Sequence, residues 1–303
     1  MKVFVTGATG YLGSHIAGAF RRAGHDVWGL VRSKEKVRLL EVAEIRPVLG
    51  TLQEPASYTA AAERCELYVH AAVDYEADSF ALDRQTIEAL LSVGQRGPQP
   101  KTLIYTSGSW VYGNTGGRRV DETSPPAPVA RVVRRPEMEA LALGSRAVHG
   151  LVVRPGCVYG GPGGMTGDWF EGAEKKSLSV VGDGRNRWAI LHVEDLADGY
   201  VRLGESGLSG EIFNLADGSR ATVQEMAAAA ARAAGYAGEI RWISVEEASK
   251  TLGTYAECLA LDQHIDASKA TRLLGWQPKH PGFVRDADVY FKSWKAARER
   301  ASA

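Results

Sequence analysis

The chain is poor in everything that would staple or anchor it. Cysteine occurs three times in 303 residues, at Cys65, Cys157 and Cys258. The number is odd, the spacing is wide and no Cys-x-x-Cys is present. Neither a disulfide framework nor a metal site is expected, and a reducing compartment, the cytoplasm, fits. An excess of one charge is also missing: Lys plus Arg number 36, and so do Asp plus Glu. Such a balance argues against nucleic acid or an anionic membrane as the main partner. No uncharged apolar run reaches about 18 residues, so no transmembrane helix is expected. The first residues enter a strand at once, which leaves no room for a signal peptide. Internal repeats, low-complexity segments and a Pro/Ser linker are absent too. What remains is an ordinary globular composition, 45% hydrophobic, in a chain long enough to bury a sizeable core.

The most informative stretch is Lys2-Val3-Phe4-Val5-Thr6-Gly7-Ala8-Thr9-Gly10-Tyr11-Leu12-Gly13-Ser14. Its apolar residues 3–5 read as a buried parallel strand. Three glycines follow, and Ile16, Ala17 and Phe20 then give a helical apolar face that ends at Ala23-Gly24. Strand, glycine turn and helix stand in the order a dinucleotide-binding unit requires. Gly7 would allow the tight turn out of the strand. Gly10 would remove the side chain that blocks a pyrophosphate, and Gly13 would let the helix pack close to the sheet. The phosphates would sit on backbone N–H groups at the positive end of the helix. Thr9, Tyr11 and Leu12 belong to the same loop and are assigned to the cofactor with the glycines.

Further strands are expected at 26–31, 47–49, 67–70, 102–106 and 151–153, and helices at 34–43 and 79–93, with a break at Pro98-Gln99-Pro100. Alternation of this kind makes a parallel sheet covered by helices on both faces. The expected fold is therefore α/β, a Rossmann doubly wound parallel sheet with a smaller C-terminal α+β substrate lobe. Residues 1–160, with returning segments at about 185–217, form the dinucleotide-binding domain. Residues 161–303 form most of a substrate-binding cap. An alanine-rich helix around residues 227–231 is introduced by a capping box of Thr222 and Glu225. The ligand site should lie at the carboxyl ends of the strands.

The end of the second strand decides between two cofactors, because an acid there bonds a ribose 2′-hydroxyl and a base there neutralises a 2′-phosphate. Val31 stands where an acid would be expected, and Arg32, Ser33, Lys34 and Lys36 follow. The planar donor fork of arginine suits phosphate. Arg32, Ser33 and Lys36 are therefore read as selecting NADP(H). Were the segment only a solvated helix start, NAD would remain the alternative.

These features resemble the extended short-chain dehydrogenase/reductases, the NAD-dependent epimerase/dehydratase group. The resemblance rests on Thr6-Gly7-Ala8-Thr9-Gly10-Tyr11-Leu12-Gly13, on His70-Ala71-Ala72, and on Thr106-Ser107-Gly108-Ser109-Trp110-Val111-Tyr112-Gly113. It continues with Arg154-Pro155-Gly156-Cys157-Val158-Tyr159-Gly160, Leu191-His192-Val193-Glu194-Asp195-Leu196-Ala197 and Leu274-Gly275-Trp276-Gln277-Pro278. It implies that Ala71, Ala72 and Val73 line the cofactor beside the adenine ribose and pyrophosphate. It also implies that Pro155, Gly156, Cys157 and Val158 meet the nicotinamide. Thr51-Leu52 occupies the place of the family's Asp-Leu beside the adenine. A homodimer is expected by analogy.

The family's chemistry uses a Tyr four residues before a Lys on one helix, where the ammonium lowers the phenol pKa for proton transfer. No lysine of this chain has a Tyr four residues earlier. With Glu139 as the family's Glu, the Lys position falls on Arg135 and the Tyr position on Arg131, both expected on one helix. Arginine is too basic to donate a proton, but Arg135 is a candidate to hold the nicotinamide ribose. The family's Ser or Thr falls on Gly108, flanked by Ser107 and Ser109. The candidate catalytic residues are Ser107, Ser109, Tyr112 and Arg135, with Tyr159, His192 and Glu137 as other candidate acids. Trp110, Trp169 and Trp188 wall a pocket or pack the core, and Cys157 is either a nucleophile or a small buried hydrophobe.

Three functions are weighed. An NADPH-dependent reductase of a small carbonyl or activated alkene needs the protein only to position and polarise its substrate. A non-catalytic NADP(H)-binding sensor or scaffold would keep the phosphate loop and lose the catalytic pair. An epimerase or dehydratase acting on a nucleotide sugar would need a competent base.

Overall fold

The computed structural model describes residues 1–74, 78–97, 99–280 and 282–302; Pro98, read above as part of a break, lies outside them. Its centre is a seven-stranded sheet. The strands in chain order are Lys2–Thr6 (β1), Asp26–Val31 (β2), Arg46–Leu49 (β3), Leu67–His70 (β4), Lys101–Thr106 (β5), Val148–Pro155 (β6) and Glu211–Leu215 (β7). Their spatial order is β7-β6-β5-β4-β1-β2-β3. Pairing is parallel from β6 across to β3. The inner strands carry Val3, Phe4, Val5, Leu67, Tyr68 and Val69, all at most 1% exposed. That is the continuous apolar run of strands buried on both faces.

The order reverses between β1 and β4, and a doubly wound sheet binds its ligands at the carboxyl ends beside such a reversal. Helix α1 (Tyr11–Arg22) follows β1, and its Ile16, Ala17 and Phe20 are fully buried. The helix expected at 79–93 is Ser79–Gly94, capped by the Asp78 carboxylate. The segment expected as one helix over 34–43 is a 3-10 turn, Lys34–Lys36, followed by the helix Val37–Val42.

One expectation is corrected. Arg131 and Arg135 do not share a helix. Arg131 lies in the 3-10 turn Ala130–Val132, and the α-helix begins at Arg135 and ends at Leu143. Pro136 sits in its first turn. Inside a helix reaching back to Arg131, its ring would clash with the carbonyl four residues earlier and its nitrogen would donate nothing.

Two compact units interleave along the chain. The first comprises Met1–Ser107, Arg134–Arg154 and Leu196–Phe213; the second comprises Gly108–Val133, Pro155–Asp195 and Asn214–Ala303. Residues 108–133 and 155–160 group with the second unit, and residues 196–213, within the returning segments expected at about 185–217, with the first. The first unit's core joins Phe4, Tyr58, Tyr68, Leu103, Met138 and Val152. The second packs aromatics: the rings of Trp169 and Trp188 stack at 5.1 Å, and Phe170, Phe283 and Trp294 surround them. The capping box at Thr222 and Glu225 is formed in both directions. Among the described residues, no helix is long and apolar enough to cross a membrane.

Candidate functional site

The turn after β1 is shaped by what its glycines exclude. Gly7 has φ +72°, and a Cβ on it would lie 2.9 Å from the Ala71 carbonyl oxygen and the Ala72 backbone. The loop after β4 therefore presses directly on the turn. A Cβ on Gly13 would come within 2.1 Å of the Gly7 carbonyl oxygen, so α1 can approach β1 only with glycine there. Gly10 is exposed and precedes the helix as its N-cap, without a side-chain cap and with no acid in the first turn. A helix N-terminus built this way can take an anion such as a phosphate. Thr9, Tyr11 and Leu12 are half-buried around it.

Arg32 follows β2 directly and is exposed; Ser33 is half-buried at the N-cap of the Lys34–Lys36 turn, and Lys36 is exposed. The Arg32 guanidinium pairs with Asp74, Nη1 to Oδ2, at 3.1 Å. Gln53 Nε2 donates to the same oxygen at 3.2 Å. Thr51 donates its backbone N–H to the Ser57 hydroxyl at 3.1 Å, and Leu52 is buried. Ala71 and Ala72 are half-buried, and Val73 is exposed.

Beneath this loop runs a buried polar chain. Thr6 Oγ1 lies 2.8 Å from His70 Nδ1 and accepts the Ala71 N–H at 3.2 Å. His70 Nε2 is 3.4 Å from Asp83 Oδ1, and the Tyr105 hydroxyl donates to Asp83 Oδ2 at 2.9 Å. Burial pushes the Asp83 carboxyl up, but its contacts with His70, Arg135 and Tyr105 outweigh that and hold it below the usual carboxylate range. Burial pushes the Tyr105 phenol upward, so it stays protonated and donates.

At the carboxyl end of β5 the Ser107 hydroxyl donates to Glu139, which also accepts from Arg154: Nε to Oε1 at 2.9 Å, with Nη2 on the second oxygen. All three residues are buried. Arg135 donates from Nη1 to the Thr106 carbonyl oxygen at 2.8 Å, and the Thr106 hydroxyl meets the Tyr200 hydroxyl at 2.7 Å. Exposed Glu137 lies 3.6 Å from both Arg84 and Arg134.

In the second unit, Ser109 donates to Gln263 Oε1 at 3.0 Å, and Tyr112 donates to Asn214 Oδ1 at 2.9 Å. Arg131 places its guanidinium 5.2 Å from the centre of the Tyr255 ring. Pro155, Gly156, Cys157 and Val158 are all buried. Gly156 donates to the Leu215 carbonyl oxygen at 2.9 Å, Cys157 to that of Ala189 at 2.6 Å. Burial pushes the Cys157 thiol up to about 12, so it is a packing group and not a thiolate. Tyr159 is fully buried with its hydroxyl 3.5 Å from Asp217. His192 stacks on His280 at 3.6 Å and accepts the Glu194 N–H on Nδ1. Trp169 and Trp188 belong to the core, with Trp110 packed against it.

The structure thus brings the glycine turn to Ala71-Ala72 and links Ser107 to Glu139. The hydroxyls of Ser107, Ser109 and Tyr112 each have a buried acceptor. Sequence reading passed over Asp74, Gln53 and Asp83. Their signal is weak, because each is an isolated polar residue whose partner lies far away in the chain. Among the described residues, no cluster of three or more His, Cys, Asp or Glu side chains is placed to hold a metal ion.

Comparison with known proteins agrees with this architecture. An uncharacterized protein of Schizosaccharomyces pombe is 30% identical over 96% of this chain and all of its own length. A 4-hydroxy-2-methyl-3-oxo-4-farnesyl-3,4-dihydroquinoline-1-oxide ketoreductase of Stigmatella aurantiaca is 26% identical over 91% of this chain and 92% of its own. The crystal structure of a human epimerase family protein with NADPH superposes with a TM-score of 0.81 at 20% identity, covering 96% of this chain and 99% of that one. The family model described as the NAD dependent epimerase/dehydratase family matches residues 3–216, and the chain belongs to that family.

Proposed function

We propose that the protein is an NADP(H)-dependent reductase of a small carbonyl or activated alkene. The observation that carries the cofactor half is the pairing of an uncapped glycine turn with Arg32 at the end of β2. A Cβ at Gly7 would meet Ala71 and Ala72 and one at Gly13 would meet Gly7, so the glycines hold the turn close-packed, and the uncapped helix N-terminus beyond it suits a pyrophosphate. Gly7, Thr9, Gly10, Tyr11, Leu12 and Gly13 would hold the phosphates. Arg32, Ser33 and Lys36 would read a 2′-phosphate. Thr51, Leu52, Ala71, Ala72 and Val73 would line the adenosine half, and Pro155 to Val158 the nicotinamide half. The bound cofactor would supply the hydride. Arg135, already on the Thr106 carbonyl oxygen, would orient the ribose. The Stigmatella relative's name, ketoreductase, supports the reductase half, and the human neighbour's NADPH supports the cofactor. A cytoplasmic homodimer is part of the same reading.

A second reading, a non-catalytic NADP(H) sensor or scaffold, is favoured by one observation. Ser107, Ser109 and Tyr112 all commit their hydroxyl protons to buried acceptors. A nucleotide-sugar epimerase is disfavoured, because it would need a competent base and no lysine of the chain has a Tyr four residues earlier.

The test is a fluorescence titration with NADPH and NADH side by side, then a panel of small carbonyls and enones. Tight NADPH binding with stereospecific oxidation supports the reductase. NADPH that stays bound and unreacted across the panel overturns it in favour of the sensor.

A further inference from the structure

We propose that Asp74 is a specificity-determining residue, a fixed carboxylate that opposes Arg32 in the choice between NADP(H) and NAD(H). The inference rests on the reading of this turn as a nicotinamide-dinucleotide site. It goes further in assigning a role to a residue that neither the glycine pattern nor the end of β2 points to.

Three strand ends converge here. Arg32 follows β2, Gln53 lies beyond the end of β3, and Asp74 lies beyond the end of β4. One oxygen, Asp74 Oδ2, accepts from Arg32 at 3.1 Å and from Gln53 at 3.2 Å. The partners differ in freedom: the Asp74 side chain is 12% exposed and that of Arg32 is 64% exposed. The carboxylate is therefore the anchored partner and the guanidinium the mobile one. An exposed ion pair of this kind is weak, so Arg32 can leave it for a phosphate. Asp74, still held by Gln53, stays behind.

The consequences for the two cofactors are opposite. A 2′-phosphate drawn to Arg32 enters the field of a carboxylate that Arg32 has just stopped neutralising, and like charges at short range repel. A ribose 2′-hydroxyl meets an acceptor, which is the role an acid at the end of β2 would play. Val31 leaves that role vacant on its own strand, and the loop after β4 supplies the acid in its place. Arg32 and Asp74 thus pull in opposite directions, and the balance between them sets the preference.

The experiment is a titration of the full chain and of Asp74→Asn with NADPH and with NADH, read by cofactor fluorescence. Asp74→Asn should raise the ratio of the NADH to the NADPH dissociation constant by on the order of tenfold. If Asp74→Asn does not fold, Asp74→Ser carries the same expectation. An unchanged or lowered ratio overturns the inference. Wild-type protein that prefers NADH, with a variant that gains NADPH, would overturn the NADP(H) reading and leave the inference standing. Binding of neither cofactor by either protein overturns both.

Discussion

Glu139 is 3% exposed and accepts from the Arg154 guanidinium and the Ser107 hydroxyl. Removing one member of such a buried pair leaves the other charged and unsatisfied. Glu139→Ala should therefore destabilise the fold by about 3–5 kcal/mol, seen as a lower urea midpoint. Ser107→Ala removes one donor from the same carboxylate and should lose only about 1–2 kcal/mol. Because its proton is already given to Glu139, Ser107→Ala should also keep any turnover within a few-fold of wild type; a complete loss of turnover in a folded variant would return Ser107 to the chemistry. Arg32 is the opposite kind of residue, exposed and weakly held. Arg32→Asp should weaken NADPH binding by on the order of tenfold or more, the worth of a charged hydrogen bond, and NADH binding far less. Equal losses for the two cofactors would show that Arg32 reads no 2′-phosphate.

At the scale of the element, β1, its turn and α1 act as one piece. A Cβ on Gly13 would stand 2.1 Å from the Gly7 carbonyl oxygen, and a backbone neighbour cannot yield cheaply. Gly13→Ala should push α1 off the sheet, lower stability by about 1–3 kcal/mol and weaken both cofactors together. Unaltered affinity in that variant would mean that the close approach does not matter for binding. This piece was legible in the sequence because its logic is local: an apolar run, glycines where a side chain cannot fit, a helical face. The sheet was legible for the same reason, and β2 and β4 fall where the pattern puts them. The helix at Arg135 was misread from register alone, although Pro136 one residue on was visible and marks a first turn. The polar partnerships were not legible. Ser107 and Glu139 are separated by 32 positions, Arg32 and Asp74 by 42, and pairing at that distance leaves no periodic trace.

For the molecule as a whole, balanced charge removes general self-repulsion near neutrality, so its pH response falls to individual groups. Burial pushes the Asp217 carboxyl from 3.8 up to about 6; the hydrogen bond from the Ser219 N–H opposes the rise and Asp195 adds to it. A carboxyl raised in the folded state holds a proton that the unfolded chain has already released. Between about pH 4 and pH 6 the native state thus binds more protons, and stability falls as pH rises through that window. The full difference corresponds to about 3 kcal/mol, present above the window and absent below it. Asp83 and Asp26 run the other way: each is lowered in the fold, so their stabilisation is present above the ordinary carboxylate pKa and is lost as pH falls below it. His264 is lowered by burial and by Arg220, and its contribution grows as pH rises toward neutrality. These slopes overlap in the wild-type profile, and a single substitution separates them. Asp217→Asn keeps the shape and an acceptor for the Ser219 N–H but cannot titrate. Subtracting wild type from Asp217→Asn in urea unfolding at each pH should give a difference that grows in the variant's favour by up to about 3 kcal/mol between pH 4 and pH 7. A difference that stays flat across that range would mean that Asp217 does not carry its proton into the folded state.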